Sequence, residues 1–129
     1  MTNTEAQPGR IFRDAWIAGV IAHHPGEIKP SYVASWDELP EWERTAAAAV
    51  YGQVAGFVAA AVGATSKLSR EQKGRFVALC WLGQVLAHRK DLAPDQVADW
   101  DDLPEWRQET DADIFEAIEE AEATRPRWS

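Results

Sequence analysis

Trp36-Asp37-Glu38-Leu39-Pro40-Glu41-Trp42 returns 64 positions later as Trp100-Asp101-Asp102-Leu103-Pro104-Glu105-Trp106. A near-identity of that kind marks an internal repeat, and the match extends in both directions. Upstream, Gly9-Arg10 falls on Gly74-Arg75, and Trp16, Val20, Ala22 and His23 fall on Trp81, Val85, Ala87 and His88. One residue is lost in the loop, after which Pro30 meets Pro94; downstream Val50, Tyr51 and Val54 meet Ile114, Phe115 and Ile118. In each element a helical turn presents the first Trp and the Leu on one side. The proline then opens a helix, where its missing N–H costs nothing and its φ is already set. The element is therefore a corner between two helices.

Helices flank both corners. Ile11, Phe12, Ala15, Trp16, Val20 and Ile21 recur at helical spacing until Pro25-Gly26 ends the run. Ser35 with Glu38 reads as a capping box, and the helix after Pro40 runs to about Val62 with Gly63 as its C-terminal cap. In the second copy Ser69 and Gln72 form another capping box and open a helix to about Arg89. The last helix spans about Glu105 to Ala123, before Pro126. The expected fold is all-α, four main helices as two duplicated helix–loop–helix hairpins with pseudo-two-fold symmetry in one compact domain. Its expected divisions are a disordered N-terminal tail at 1–8, the first repeat at 9–63, a linker at 64–68, the second repeat at 69–123 and a C-terminal tail at 124–129.

The totals narrow the class. A chain of 129 residues can bury a sizeable single core, and one cysteine, Cys80, excludes an intramolecular disulfide. A lone thiol and a polar N-terminus without a signal-peptide pattern suggest the cytoplasm. Thr45–Ser66 carries no charge and is long enough to span a bilayer. Its repeat counterpart, however, holds Glu109, Asp111, Asp113 and Glu116, and two copies of one fold should not divide between lipid and water. No membrane span is expected. The small residues of this segment suit close helix contact at the centre of the bundle, or a homodimer seam.

The net charge of −8 is unevenly spread. Carboxylates dominate from Asp91 onward, whereas Lys67, Arg70, Lys73, Arg75, Arg89 and Lys90 gather around the third helix. Such a chain repels a duplex nucleic acid, but a basic strip on one helix can still meet a small anion.

Candidate chemistry centres on tryptophan, of which there are seven, six in matched pairs. Trp16, Trp36, Trp42, Trp81, Trp100 and Trp106 read either as core anchors or as platforms on which a flat ligand such as a nucleobase stacks. Arg10, Lys29, Arg75 and Arg89 are the candidate cations for such a ligand. Asp111, Asp113 and Glu116 are the candidate partner-binding residues if the acidic last helix docks a protein in imitation of nucleic acid. His23 and His88 suit helix C-terminal capping, and Cys80, which matches Ala15, suits the core. No metal-ligand spacing, phosphate loop or catalytic triad order appears, so the sequence points to no enzyme, no metal and no cofactor.

The corners resemble the RyR domain, the repeat of ryanodine-receptor channels that also occurs in bacterial and phage proteins. The likeness rests on Trp16, Pro30, Trp36, Leu39, Pro40 and Glu41 in the first copy, and on Trp81, Pro94, Trp100, Leu103, Pro104 and Glu105 in the second. The family's His before the helix Trp is replaced by Arg13 and Ala78, and its Gly-Trp after the first helix is missing. The resemblance implies a tandem helical binding module for nucleotide-like ligands and no catalysis. The function expected is thus a non-catalytic module that binds a small aromatic anion or a peptide near the paired corners. The alternatives are an acidic protein-binding inhibitor or adaptor and a structural homodimer.

Overall fold

The computed structural model describes residues 7–125, apart from the side chains of Asp95 and Gln96. Four helices carry it: α1 (Pro8–His23), α2 (Glu41–Ala61), α3 (Arg70–His88) and α4 (Glu105–Ala123). Single 3₁₀ turns join them at Pro30–Val33, Trp36–Glu38, Ala64–Lys67, Pro94–Val97 and Trp100–Asp102. The described residues form no strand, and none of their helices is long and apolar enough to cross a membrane. Pro8 already belongs to α1, and the rest of the two expected tails, apart from Gln7, Thr124 and Arg125, lies outside the described residues.

Local chemistry sets the boundaries. The Ser35 N–H donates to Glu38 Oε1 at 3.0 Å and opens the first corner turn. Ser69 and Gln72 exchange reciprocal bonds of 2.9 and 3.1 Å at the start of α3. Pro40 and Pro104 stand extended, with φ −62° in both, immediately before α2 and α4. The two corners thus turn alike. At the far end of α2 the helix stops at Ala61, one residue early. Val62 itself takes the left-handed conformation (φ 48°), and Gly63 follows at φ 85°. A left-handed valine is strained, so the turn is shared between the two residues.

The central helix is α4, not the alanine-rich α2. Helix α4 buries Thr110, Asp111, Ala112, Ile114, Phe115 and Ile118. Around the last three gather Phe12, Ala47, Val50, Val54 and Val77. The reason is volume: isoleucine and phenylalanine fill the space between helices, which alanine cannot. Helix α2 gives Ala46, Ala47, Val50 and Val54 to the core and leaves Gly52, Gln53, Gly56, Phe57, Ala59 and Ala60 exposed.

The copies interleave. Helix α1 packs on α2 of its own copy and on α4 of the other, and α3 packs on α4 and α2. Along α1, Trp16 meets Trp106, Gly19 meets Thr110 and His23 meets Asp113, so α1 and α4 run in the same direction. In the reciprocal pair Trp42 meets Trp81. Each corner therefore places its second tryptophan against the first helix of the other copy.

Candidate functional site

The six paired tryptophans divide into two sets. Trp36 and Trp100 are corner anchors. The outer edge of each ring lies over Gly9 or Gly74, so closely that a Cβ on either glycine would overlap it. On these rings rest Arg10 (5.6 Å from the Trp36 centroid) and Arg75 (5.8 Å from that of Trp100), each also paired with the next corner acid, Asp37 or Asp101. These rings and cations stand outside the cavity described next.

Trp16 and Trp81 belong to the second set. They face a cavity of about 250 Å³ between the copies, which Phe12, Tyr32 and the polar residues Arg13, Ser31, Glu43, Arg107 and Asp111 complete. Trp81 stacks on Phe12 at 5.7 Å and 19°. Trp16 donates its indole N–H to the Tyr32 carbonyl at 2.7 Å, which fixes the ring's orientation. Trp42 and Trp106 back these two rings from behind, at 6.1 and 5.8 Å. Arg89 lies over Trp42, His24 against Trp106 and Lys29 over Tyr32, all one layer removed from the cavity.

Two charged side chains of the wall each keep one buried atom without a hydrogen bond. Asp111 is 3% exposed, and its Oδ2 accepts no hydrogen bond. Arg107, one turn earlier on α4, rests its guanidinium over Trp16 at 5.4 Å while its buried Nε donates to nothing. Burial pushes the Asp111 carboxyl up to about 7, and the charge of Arg107 offsets only part of that rise. Burial likewise lowers the Arg13 pKa, opposed by Glu43. Arg13 is satisfied, however, since it donates to the Ser31 and Ala34 carbonyls at 3.2 and 2.8 Å and so pins the linker as part of the wall.

The acidic face of α4 proves to be largely internal. Asp111 is buried and cannot meet a partner from outside. Asp113 and Glu116 are half-buried and turned toward α3. Arg70 reaches Glu109 (2.8 Å), Asp113 (2.9 Å) and Glu116 (2.7 Å), and Lys73 reaches Glu116 (3.3 Å) and Glu119 (2.9 Å). The grouped carboxylates thus meet cations across a helix interface. Burial works against both cations' charge, but the carboxylate hydrogen bonds outweigh it and raise both pKa values. His23 donates to Asp113 at 2.8 Å, which ties the end of α1 to α4, whereas His88 is exposed beside Trp42. Burial raises the pKa of the half-buried Cys80 thiol, away from the thiolate a nucleophile needs. No group of three potential metal ligands occurs among the described residues.

Sequence reasoning missed Arg13, Tyr32, Glu43 and Arg107 because it favoured residues shared by the copies. Their signal was the opposite one: Arg13 matches Ala78, Asp111 matches Ala47, and Arg107 matches Glu43 with inverted charge. Compared with family models, curated proteins and solved structures, the chain matches none.

Proposed function

We propose that the chain is a non-catalytic binding module of two RyR-like repeats that holds a small, flat, nucleobase-like ligand between its copies. One observation carries the reading: a cavity between the copies walled by Phe12, Trp16, Tyr32 and Trp81, with the charged residues Arg13, Glu43, Arg107 and Asp111 among them. Aromatic walls with a few converging polar groups are the usual make-up of a small-molecule site. At about 250 Å³ the space falls below the usual range for drug-sized ligands of roughly 300–1,000 Å³, so it suits one ring system. The reading moves the site from the corner rings to Trp16 and Trp81. The alternative of an acidic docking face has less to stand on, because Asp111 is buried and Asp113 and Glu116 already have partners.

Trp16 and Trp81 report on the cavity directly. Titration of intrinsic fluorescence with nucleobases, nucleosides, nucleotides and cyclic dinucleotides should give saturable quenching with at least one member. Trp81→Phe should remove most of that signal and Trp36→Phe should preserve it. A panel with no saturable response overturns the reading.

A further inference from the structure

We propose that the outer face shared by α2 and α3 joins two copies of this chain into a homodimer, with Leu79 and Leu86 at the centre of the contact. The pairing is independent of the ligand cavity. On α3, Trp81 turns to the cavity, whereas Leu79, two residues earlier and about 200° round the helix, turns away from it.

The face is uncharged and apolar. Helix α2 carries no charged residue after Arg44 and α3 none from Phe76 to Ala87, in a chain of which 26% is charged. The two helices pack on each other, and the Phe57 and Phe76 rings meet across their seam at 4.9 Å. Leu79 lies one turn beyond Phe76, and Leu86 two turns further on the same side. Phe57 is 39% exposed, Leu79 67% and Leu86 55%, so one face holds half of the six large apolar side chains that stand exposed among the described residues. The other three are scattered: Ile21 on α1, Val62 at the end of α2 and Val97 in a turn. A clustered apolar surface on a folded chain marks an interaction site, where scattered side chains do not.

Beside Phe57, Gln53, Gly56 and Ala60 are exposed as well, and nothing among the described residues lies within 4 Å of a methyl added at Gly56. Small side chains bury little area and supply little attraction. Their part is to keep the α2 side low, so that the leucines of a second copy can reach it.

Area and charge select the occupant. At about 1.5 Å per residue and about 10 Å per helix, the uncharged stretches are about 25 and 18 Å long and together about 20 Å wide. In plan that is about 400 Å² per copy before side-chain relief is counted, so a pair buries on the order of 1,000 Å², the threshold of a specific but weak interface. A surface apolar over its whole extent is complementary to itself. A two-fold axis through it buries each leucine in both copies and closes the assembly at two. A lipid surface fits less well, because the net charge of −8 repels an anionic bilayer and the uncharged stretches hold no lysine or arginine to anchor one.

Sedimentation of the full chain from about 1 to 300 µM should show a mass rising from 14.4 kDa toward twice that value, with a Kd on the order of tens of micromolar. Leu79→Glu and Leu86→Glu change exposed positions that the monomer fold does not need. Each should raise the Kd at least about 100-fold, since a two-fold contact counts every substitution twice. Ile21→Glu, at 64% exposure but on α1, should leave the Kd within about threefold of wild type. Circular dichroism at the lowest concentration checks that each variant is folded. A mass of 14.4 kDa at every concentration overturns the proposal, as does a dimer that both leucine variants leave intact or that Ile21→Glu breaks equally. A monomer that sediments with phosphatidylcholine vesicles also overturns it and assigns the face to lipid. None of these outcomes touches ligand binding, which the fluorescence titration decides separately.

Discussion

The two copies agree at their corners and differ in what their helices carry toward one another. Gly9, Arg10, Trp36 and Asp37 make the same set of contacts as Gly74, Arg75, Trp100 and Asp101: a ring over a glycine, an arginine over the ring, an acid on the arginine. The cavity, in contrast, sets the matched pair Trp16 and Trp81 among charged positions that do not match. Arg13 stands opposite Ala78 in the alignment, Asp111 opposite Ala47 and Arg107 opposite Glu43. Duplication supplied a scaffold whose matched parts hold the fold. Divergence then placed charge at the cavity between the copies, where Glu43 and Arg107 stand at matched positions with opposite sign.

Asp111 against Ala47 is the sharpest of these differences, and its test has the largest expected effect. The fold holds the Asp111 carboxyl at about 7, while an unfolded chain holds it near the ordinary aspartate value of about 3.9. Below about pH 4 both states bind the proton. Between about 4 and 7 the unfolded chain releases a proton that the fold retains, so stability falls as pH rises, and above about 7 the loss is complete. At about 1.4 kcal/mol per pH unit the difference amounts to about 4 kcal/mol. Urea denaturation of wild type and Asp111→Asn, without ligand, should show the variant gaining on wild type by roughly that amount from pH 4 to 7.5. A constant gap across that range would place a satisfied carboxylate there.

Lys73 has no counterpart in the first copy, whose matched position is Pro8. It is 7% exposed, pairs with Glu116 and Glu119 and lies 5.9 Å from the Phe115 ring centroid. Removing one partner of a buried pair usually costs about 3–5 kcal/mol, and the partial exposure of both glutamates puts Lys73→Ala at the lower end, about 3 kcal/mol. Lys73→Met keeps the aliphatic stem against Phe115, so about 1 kcal/mol is expected. Equal losses in thermal or urea unfolding would assign the whole effect to charge and none to the stem.

The four helices and their ends were legible because their signals are local: a proline at a first turn, a capping box, apolar residues at helical spacing. The repeat supplied the paired corners for the same reason. The cavity was not legible, since its walls come from α1, the first linker, α2, α3 and α4, and only the interleaving of the copies brings them together. Nor does composition show which face of a helix is inside. The carboxylates of α4 suggested an outer surface, yet Ile114, Phe115 and Ile118 between them put that helix at the centre. Arg70 and Lys73, noted only as a basic strip, are what those carboxylates face.

The corners give the smallest effects and the most direct check of the likeness between copies. Replacing a helical glycine with alanine ordinarily stabilises by about 0.4–1 kcal/mol through the unfolded chain. At Gly9 and Gly74 the new methyl meets the tip of an indole, with Ala48 N at 3.2 Å or Gln108 O at 3.3 Å on the facing helix. Each ring is held in place by its arginine, so overpacking should turn the usual gain into a loss of about 2 kcal/mol at both sites. Gly83, on the same helix as Gly74, has nothing within 4 Å of the added methyl, and Gly83→Ala should stabilise by about 0.7 kcal/mol. Urea midpoints of the three variants decide the matter. Losses at Gly9 and Gly74 that differ by more than about 1 kcal/mol would mean the corners share a sequence but not a packing.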